Sequence, residues 1–515
     1  MLESKEAGQL PRWPGWVAGA LGALWLGLFP LWQDGSFSHI TRAKWVGALI
    51  LCGVTAAAAL VSLAVLLIRR QGRGWLRHHP ARGLALAYLA WVALSACLGS
   101  YAGSLNSRAE MTVWMGAIRY EGLLTQLCYI TIFLGMSVMR PRLAWVLRAA
   151  AAGIILLFAV TMLQYAGLNP LGLYPGSRSI RTNYEFQGTI GNIDMVNGYL
   201  CLAVPLTLGG FLLGRRADPL LLAGGLLGLM DILLMEVQAG VAAMLVMLGL
   251  LALLMLLRPE TRSRGMTVLG GMAVCVAVRR LLALPWLDGT ENIVFPYYFT
   301  KPRGLLLACG PLCWLAAGWL RRHPGGALSV RRTAALALAV LLVCVAAVYA
   351  LPMPEGGLAE LQQVLRGHAQ DSYGSYRLGI WRNTLLMARE NLLFGTGPDT
   401  FLYAMGDCLK EAGITYPETF DNPHNEFLGI LSNSGLPALA MYLTMLGSIA
   451  AACVRCRRPE ALVLLGAILC YMTQGMFSFS ICLVTPMFWA VCGMACAVSA
   501  KEPPLPVCSK KGVLT

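Results

Sequence analysis

The stretch TAALALAVLLVCVAAVYA (333–350) runs directly into LPMPEGGLAELQQVLRGHAQ (351–370). The first run is charge-free and close to the about 20 apolar residues that a membrane-crossing helix needs. The second is polar and punctuated by Pro and Gly. At this boundary the chain leaves a bilayer and builds something in water beyond it. The composition on either side agrees. Of 515 residues, 57% are hydrophobic and only 13% charged, with a mean hydropathy of +0.64. Soluble domains are about 45–50% apolar and about 25% charged, so both figures depart toward a membrane protein. A disordered chain, a collagen and a string of soluble domains are excluded.

Similar runs recur near 15–32, 45–68, 83–100, 122–139, 144–166, 195–213, 219–235, 241–257, 266–283 and 304–320. After 333–350 come 425–450, 461–477 and 480–498. The expected fold is all-α: a polytopic transmembrane bundle of about fourteen spans with both termini cytoplasmic. Residues 1–350 hold spans one to eleven, 351–423 an extracytoplasmic loop, 424–500 spans twelve to fourteen, and 501–515 a cytoplasmic tail. The stretch 219–257 reads either as two short spans meeting at Glu236–Gly240 or as one broken helix. The N-terminus is polar and its first apolar run is span length, so no cleavable signal is expected.

Orientation follows from the arginines. With the N-terminus inside, the inner side receives Arg69, Arg70, Arg73, Arg77 and Arg82, then Arg140 and Arg142, then Arg215 and Arg216. It also receives Arg258, Arg262 and Arg264, the pairs Arg321/Arg322 and Arg331/Arg332, Arg455, Arg457 and Arg458, and Lys510 and Lys511. The net charge of +15 therefore reads as topology, and no nucleic-acid partner is expected. Most of the cysteines, such as Cys52, Cys201 and Cys492, lie in apolar runs, where a thiol behaves as a small hydrophobe. Cys453 and Cys456 form a lone C-x-x-C without a second pair, so no metal site is expected.

The loop 351–423 is far longer than a connection requires, which points to function or disorder. LAELQQVLRG (358–367) and SYRLGIWRNTLLMAREN (375–391) carry apolar residues at helical spacing, with Leu378, Trp381, Leu385 and Met387 near one side. A lid of two or three helices on the outer mouth of the bundle is expected. Four outward segments are rich in polar groups. GAIRYEGLLTQL (116–127) brings Arg119 and Glu121 to a membrane edge, where charges snorkel, pair or bind. FQGTIGNIDMVNGYL (186–200) offers a Gly-rich turn, with Asn192 positioned to cap a helix or hold a ligand. GTGPDTF (395–401) is a helix-start turn and lacks the Lys-Ser or Lys-Thr of a phosphate-binding loop. DNPHNEFLGILSNSGLPAL (421–439) places His424, a group able to take a proton near neutral pH, beside Asp421, Asn425 and Glu426. The acids Asp371, Asp399, Asp421 and Glu426 are read as a solvated face rather than a cation site.

Together, R-x-G-x-W (377–381), GTGPDTF (395–401) and HNEFLGILSNSG (424–435) resemble the O-antigen ligase and Wzy polymerase superfamily. The ligase pattern is His, then Asn, Ser or Gln, then nine residues, then Gly, and His424, Asn425 and Gly435 reproduce that spacing. RYEGLL (119–124) and GTIGN (188–192) look like upstream signatures, so the resemblance spans about 116–450. It implies a GT-C-like membrane enzyme that needs no cofactor and moves a glycan from an undecaprenyl-pyrophosphate donor at the outer face. The acceptor would be a glycan, lipid or protein hydroxyl. The family's Ser-Arg after the span at 219–235 is missing. MEVQAGVAAM (235–244) stands there, with Glu236 and Gln238. Ala438 occupies a position where the pattern asks for Gly, Thr or Tyr.

That resemblance assigns His424 as base or acceptor-orienting residue, supported by Asn425 and Glu426. Arg377 and Arg382 on the lid helix, together with Arg119, are the candidates for the diphosphate. Arg279 and Arg280 are candidates by position at the outer end of span nine. Glu121, Asn192, Trp381 and Asp421 complete the candidate substrate site. The alternative is a polytopic transporter or flippase for a lipid-linked glycan. Such proteins place polar groups near the midplane and carry internal repeats, whereas here the polar residues gather at the outer face and Asp231 is the clear mid-span acid.

Overall fold

The structure is a computed structural model that describes residues 13–68, 79–102, 114–116, 119–166, 168–173, 187–235, 237–282, 303–353, 356–416 and 419–500. All regular elements among them are helical. Helix α1 (Trp13–Ala23) continues through a π turn (Leu24–Leu28) and a 3-10 turn (Phe29–Leu31). It is followed by α2 (Ile40–Ile68), α3 (Pro80–Leu98), α4 (Leu123–Ser137), α5 (Leu143–Tyr165), α6 (Ile193–Leu213), α7 (Pro219–Met235) and α8 (Gln238–Leu257). Then come α9 (Arg262–Leu282), α10 (Arg303–Arg322) and α11 (Val330–Ala350). The long polar segment after α11 contributes α12 (Gly357–Leu365), α13 (Arg377–Glu390) and α14 (Phe401–Glu411), and α15 (Glu426–Cys456), α16 (Pro459–Gly475) and α17 (Thr485–Ser499) follow.

Each of the fourteen apolar runs is helical. Eight helical segments are long and apolar enough to cross a membrane: the Trp13–Leu31 and Phe37–Ile68 segments and α3, α5, α6, α8, α11 and α15. Helices α4, α7, α16 and α17 are apolar but shorter. Helices α9 and α10 join neither group; both carry arginines at their ends. The 219–257 stretch divides into two helices, α7 and α8. The segment expected to form a lid has three helices among its described residues, but the face expected for α13 is displaced. Gly379, Ile380, Asn383, Thr384, Met387 and Ala388 are buried, while Leu385 and Leu386 are exposed. The lid core selects small and polar residues on that side because Tyr416 and α14 pack closely against it.

Two polar ends bracket the bundle. At one end, arginines donate to carbonyls left free at helix C-termini, where cations also complement the helix dipole. Arg82 serves Ser137 at the end of α4. Arg264 serves Phe211 and Gly214 at the end of α6. Arg262 serves Met255 near the end of α8, and Arg458 serves Val498 in α17. These arginines are thus structural caps of helix ends. Arg69, Arg70, Arg73, Arg77, Lys510 and Lys511 lie outside the described residues, as does Glu236.

At the opposite end, α15 breaks at Gly435, whose φ is 79°, with Pro437 just beyond it. A break inside a membrane helix frees carbonyls that cost several kcal/mol each if left unpaired. The GTGPDTF turn supplies the missing donors. Thr396 N donates to Ser432 O (2.8 Å) and Gly397 N to Asn433 O (2.9 Å). In return, Leu436 N donates to Leu392 O (2.8 Å). On the turn's other side, Tyr101 N donates to Thr396 O (2.9 Å). The Ser95 hydroxyl of α3 donates to Asn433 O (2.8 Å). The turn is therefore wedged between α3 and α15, and a Cβ on Gly435 would collide with the Leu393 carbonyl.

Gly435→Ala should accordingly lower stability by about 2 kcal/mol or more, because it combines a left-handed backbone position with that collision. Thermal unfolding of purified protein should show a clear drop, whereas Gly447→Ala, with open space around its Cα, should unfold like wild type.

Candidate active site

Four segments converge at the turn-and-lid end: residues 119–121 before α4, Asp399 in the turn before α14, residues 421–426 entering α15, and residues 476–484 between α16 and α17. Arg119 joins the first and third, donating from Nε to Asp421 Oδ2 at 2.6 Å. Its guanidinium lies over the Phe479 ring, 4.3 Å from the centroid. Asp399 accepts from the backbone N–H groups of Arg119 and Glu121, both at 3.4 Å. Tyr120, Asp399 and His424 all adopt positive φ, a conformation costly for residues with a Cβ that concentrates at functional sites.

His424 stands at the centre of this junction. Asn422 Oδ1 accepts its backbone N–H at 2.9 Å, and Trp381 Nε1 donates to Pro423 O at 2.9 Å. The lid helix α13 thereby fixes the residue just before the histidine. The imidazole is half-buried, perpendicular to Phe479 with centroids 5.5 Å apart. Its Nδ1 is buried without a hydrogen-bond partner. Burial chiefly, then the positive field of Arg377, pushes its pKa down to about 4; Arg119 adds to the fall and Asp421 opposes it. The ring is neutral at physiological pH and keeps a lone pair available. Arg377 Nε is likewise buried and unpartnered.

Beside His424 lies a cavity of about 90 Å³. Glu121 and Glu426 face into it, each held by a tyrosine. Tyr129 OH donates to Glu121 at 2.6 Å, and Tyr442 OH donates to Glu426. Both tyrosine rings pack on Trp489, with centroids 6.4 and 5.9 Å away. Burial holds the Glu121 carboxyl well above the usual carboxylate range, although the Tyr129 hydrogen bond pulls it back.

The other expected site residues are placed as follows. Asn425 caps α15 by accepting from Leu428 N at 3.0 Å. Asn192 caps α6 by accepting from Asp194 N at 2.7 Å. Both carbonyl oxygens are thus engaged in capping. Arg382 is ion-paired with Asp371 on an exposed side of the lid. Arg279 donates to Leu233 O at 3.1 Å, near the end of α7; Arg280 is in α9, and its side chain lies outside the described residues. Among the described residues no group of three or more His, Cys, Asp or Glu side chains is arranged to hold a metal. In the C-x-x-C, the Cys456 thiol donates to the Cys453 carbonyl, a bond within α15.

Phe479, Ser480 and Trp489 were not expected from sequence. MFSFSICLV (476–484) overlaps the end of the apolar run 461–477 and the start of 480–498, and its alternating Phe and Ser are the available signal. Lys44 is another such residue. Fully buried, it donates to Phe29 O and Pro30 O, both at 2.8 Å, and so caps the unwound end of α1.

The lid, the turn, His424 and the broken first half of α15 all fall within residues 293–443, which match the family model described as O-antigen ligase. The match supports the O-antigen ligase and Wzy superfamily and, in general terms, a membrane glycan ligase or polymerase. A search of curated proteins finds no match to the chain.

The lowered pKa of His424 has a consequence for stability. The unfolded chain protonates this residue below about 6.5, and the folded chain only below about 4. Between those values the unfolded state binds more protons, so stability falls as pH drops through that window. His424→Asn should remove this component, and thermal unfolding compared at neutral pH and near pH 4.5 should show a smaller loss in the variant.

Proposed function

We propose that this chain is a membrane glycosyltransferase of the O-antigen ligase or polymerase type. In this reading it has about fourteen spans and works at the outer face of a bacterial cytoplasmic membrane. It transfers a glycan from an undecaprenyl-pyrophosphate donor to an acceptor hydroxyl. The observation that carries the reading is His424: a neutral imidazole with a buried, unpartnered nitrogen, held at the lid junction within the electrostatic reach of two arginines.

The chemistry needs a base and a cation. An acceptor hydroxyl attacks the anomeric carbon and its proton passes to the imidazole. The bond between that carbon and the pyrophosphate oxygen breaks, and the diphosphate leaves with the electron pair. A positioned base contributes about 10²–10⁴-fold. Cations already aimed at the leaving oxygens stabilise the charge that develops there. Arg377, with its unpartnered Nε, supports the diphosphate role better than Arg382, which is occupied by Asp371. Arg119 is tied to Asp421 and stands as a second contributor. In place of the family's missing Ser-Arg, the lid sits over Gln238, whose side-chain amide is 3.2 Å from where a Cβ on Gly357 would stand.

His424→Asn keeps a residue that tolerates positive φ. It should fold normally and lose about 10²–10⁴-fold of transfer from a lipid-pyrophosphate donor in vitro. Wild-type turnover by this variant would remove the base assignment. Arg377→Gln should weaken donor binding more than Arg377→Lys, while Arg382→Gln should bind donor like wild type. Counterflow of a lipid-linked glycan in proteoliposomes, without transfer, would favour the transporter reading.

A further inference from the structure

A second cavity lies toward the arginine-rich end of the bundle, opposite His424, and the transfer reaction makes no use of it. Its volume is about 150 Å³, and its walls come from α6, α8, α9 and α16. It runs from Pro205, Met247 and Leu469 to Leu213, Leu257 and Leu462, and no lining residue has a polar side chain. Water would find no hydrogen-bonding partner there. At about 1.5 Å per residue the groove follows α6 and α8 for roughly 12–15 Å. That is close to half of a hydrocarbon core about 30 Å thick, the depth of one leaflet. Gly466 keeps the groove open, since a Cβ there would meet Leu250 Cδ1 at 3.9 Å, an ordinary contact. Cations gather where the groove ends. Arg215 and Arg216 come just after α6, and Arg258 follows Leu257 directly. Arg258 donates to the Arg457 carbonyl at 3.4 Å, which ties the end of α8 to the connection before α16. Three carboxylates share this end: Asp218, bonded to Arg148, and the exposed Glu260 and Glu460. Four guanidinium groups therefore stand against two exposed carboxylates, and the end is net positive.

We propose that this groove holds an acyl chain of an anionic phospholipid, with the phosphate at Arg258 and Arg457 and within the field of Arg215 and Arg216. An apolar channel one leaflet deep that ends in cations is complementary to a hydrocarbon chain with a negative head. Basic pockets between membrane helices hold anionic headgroups in the same way. A zwitterionic lipid offers the same chain but no net charge for the arginines. The inference rests on the membrane-spanning reading of these helices and is independent of glycan transfer. A chain lodged between α6, α8, α9 and α16 binds the folded state alone, so it stabilises the bundle.

The test uses the full chain, delipidated in mild detergent, and two lipids with identical chains, a phosphatidylglycerol and a phosphatidylcholine. Native mass spectrometry should show the phosphatidylglycerol binding about tenfold more tightly or better, the order expected of two arginines at an anionic headgroup. It should also raise Tm more than the phosphatidylcholine does. Gly466→Leu puts a better helix former into the groove; it should fold and lose about tenfold of phosphatidylglycerol binding, whereas Gly466→Ala should bind like wild type. Arg258→Gln combined with Arg457→Gln should erase the preference between the lipids. Equal binding of the two lipids by wild type overturns the proposal, as does a preference that survives the arginine double variant. Phosphatidylglycerol binding unchanged in Gly466→Leu overturns it too, because a surface patch for headgroups would then explain the preference without the groove. A dimer that Gly466→Leu dissociates, with neither lipid bound, would assign the groove to a second copy of the chain instead.

Discussion

The arrangement depends on a main-chain exchange between the break in α15 and the GTGPDTF turn. Breaking a helix at Gly435 exposes carbonyls where water is scarce. Thr396 and Gly397 answer with N–H groups at 2.8 and 2.9 Å. Because the same turn carries Asp399, and Asp399 holds the backbone of Arg119 and Glu121, one set of hydrogen bonds aligns three distant parts of the sequence. The spacing from His424 to Gly435 acquires a physical meaning here. The histidine begins the half-helix whose far end must open to receive the turn.

Around that anchor the charges are divided. Arg377 and Arg119 act on the imidazole and keep it neutral together with burial, while the carboxyl groups line the neighbouring cavity. A side that carries guanidinium groups and a side that carries carboxyl groups thus meet near the histidine. Phe479 contacts both regions, with the Arg119 guanidinium over its ring and the His424 ring perpendicular to it.

Much of this was legible in the sequence. Hydrophobic run length located the helical segments, since fourteen apolar stretches became fourteen helices, and arginine placement anticipated one common end for Arg82, Arg264 and Arg458. His424, Arg119, Glu121 and Asp421 were drawn together by motif, and they are neighbours. What sequence withheld depended on partners. Nothing in the spelling of Arg382 announces Asp371, and Asn192 and Asn425 cap helices, as their type allows. Trp489 reads as one more aromatic in an apolar run until Tyr129 and Tyr442 are seen against it. The exposed Leu385 departs from the helical pattern because α14 and Tyr416, on the opposite side, decide which face of α13 is covered.

The stitching of residues 395–397 to both α3 and α15 bears on how a bulky substrate gets in. A flap that swung away as one piece would have to tear main-chain bonds at its own root, in surroundings too dry to replace them. Residues 395–397 are held on both sides, so any opening of the neighbouring helices has to hinge elsewhere.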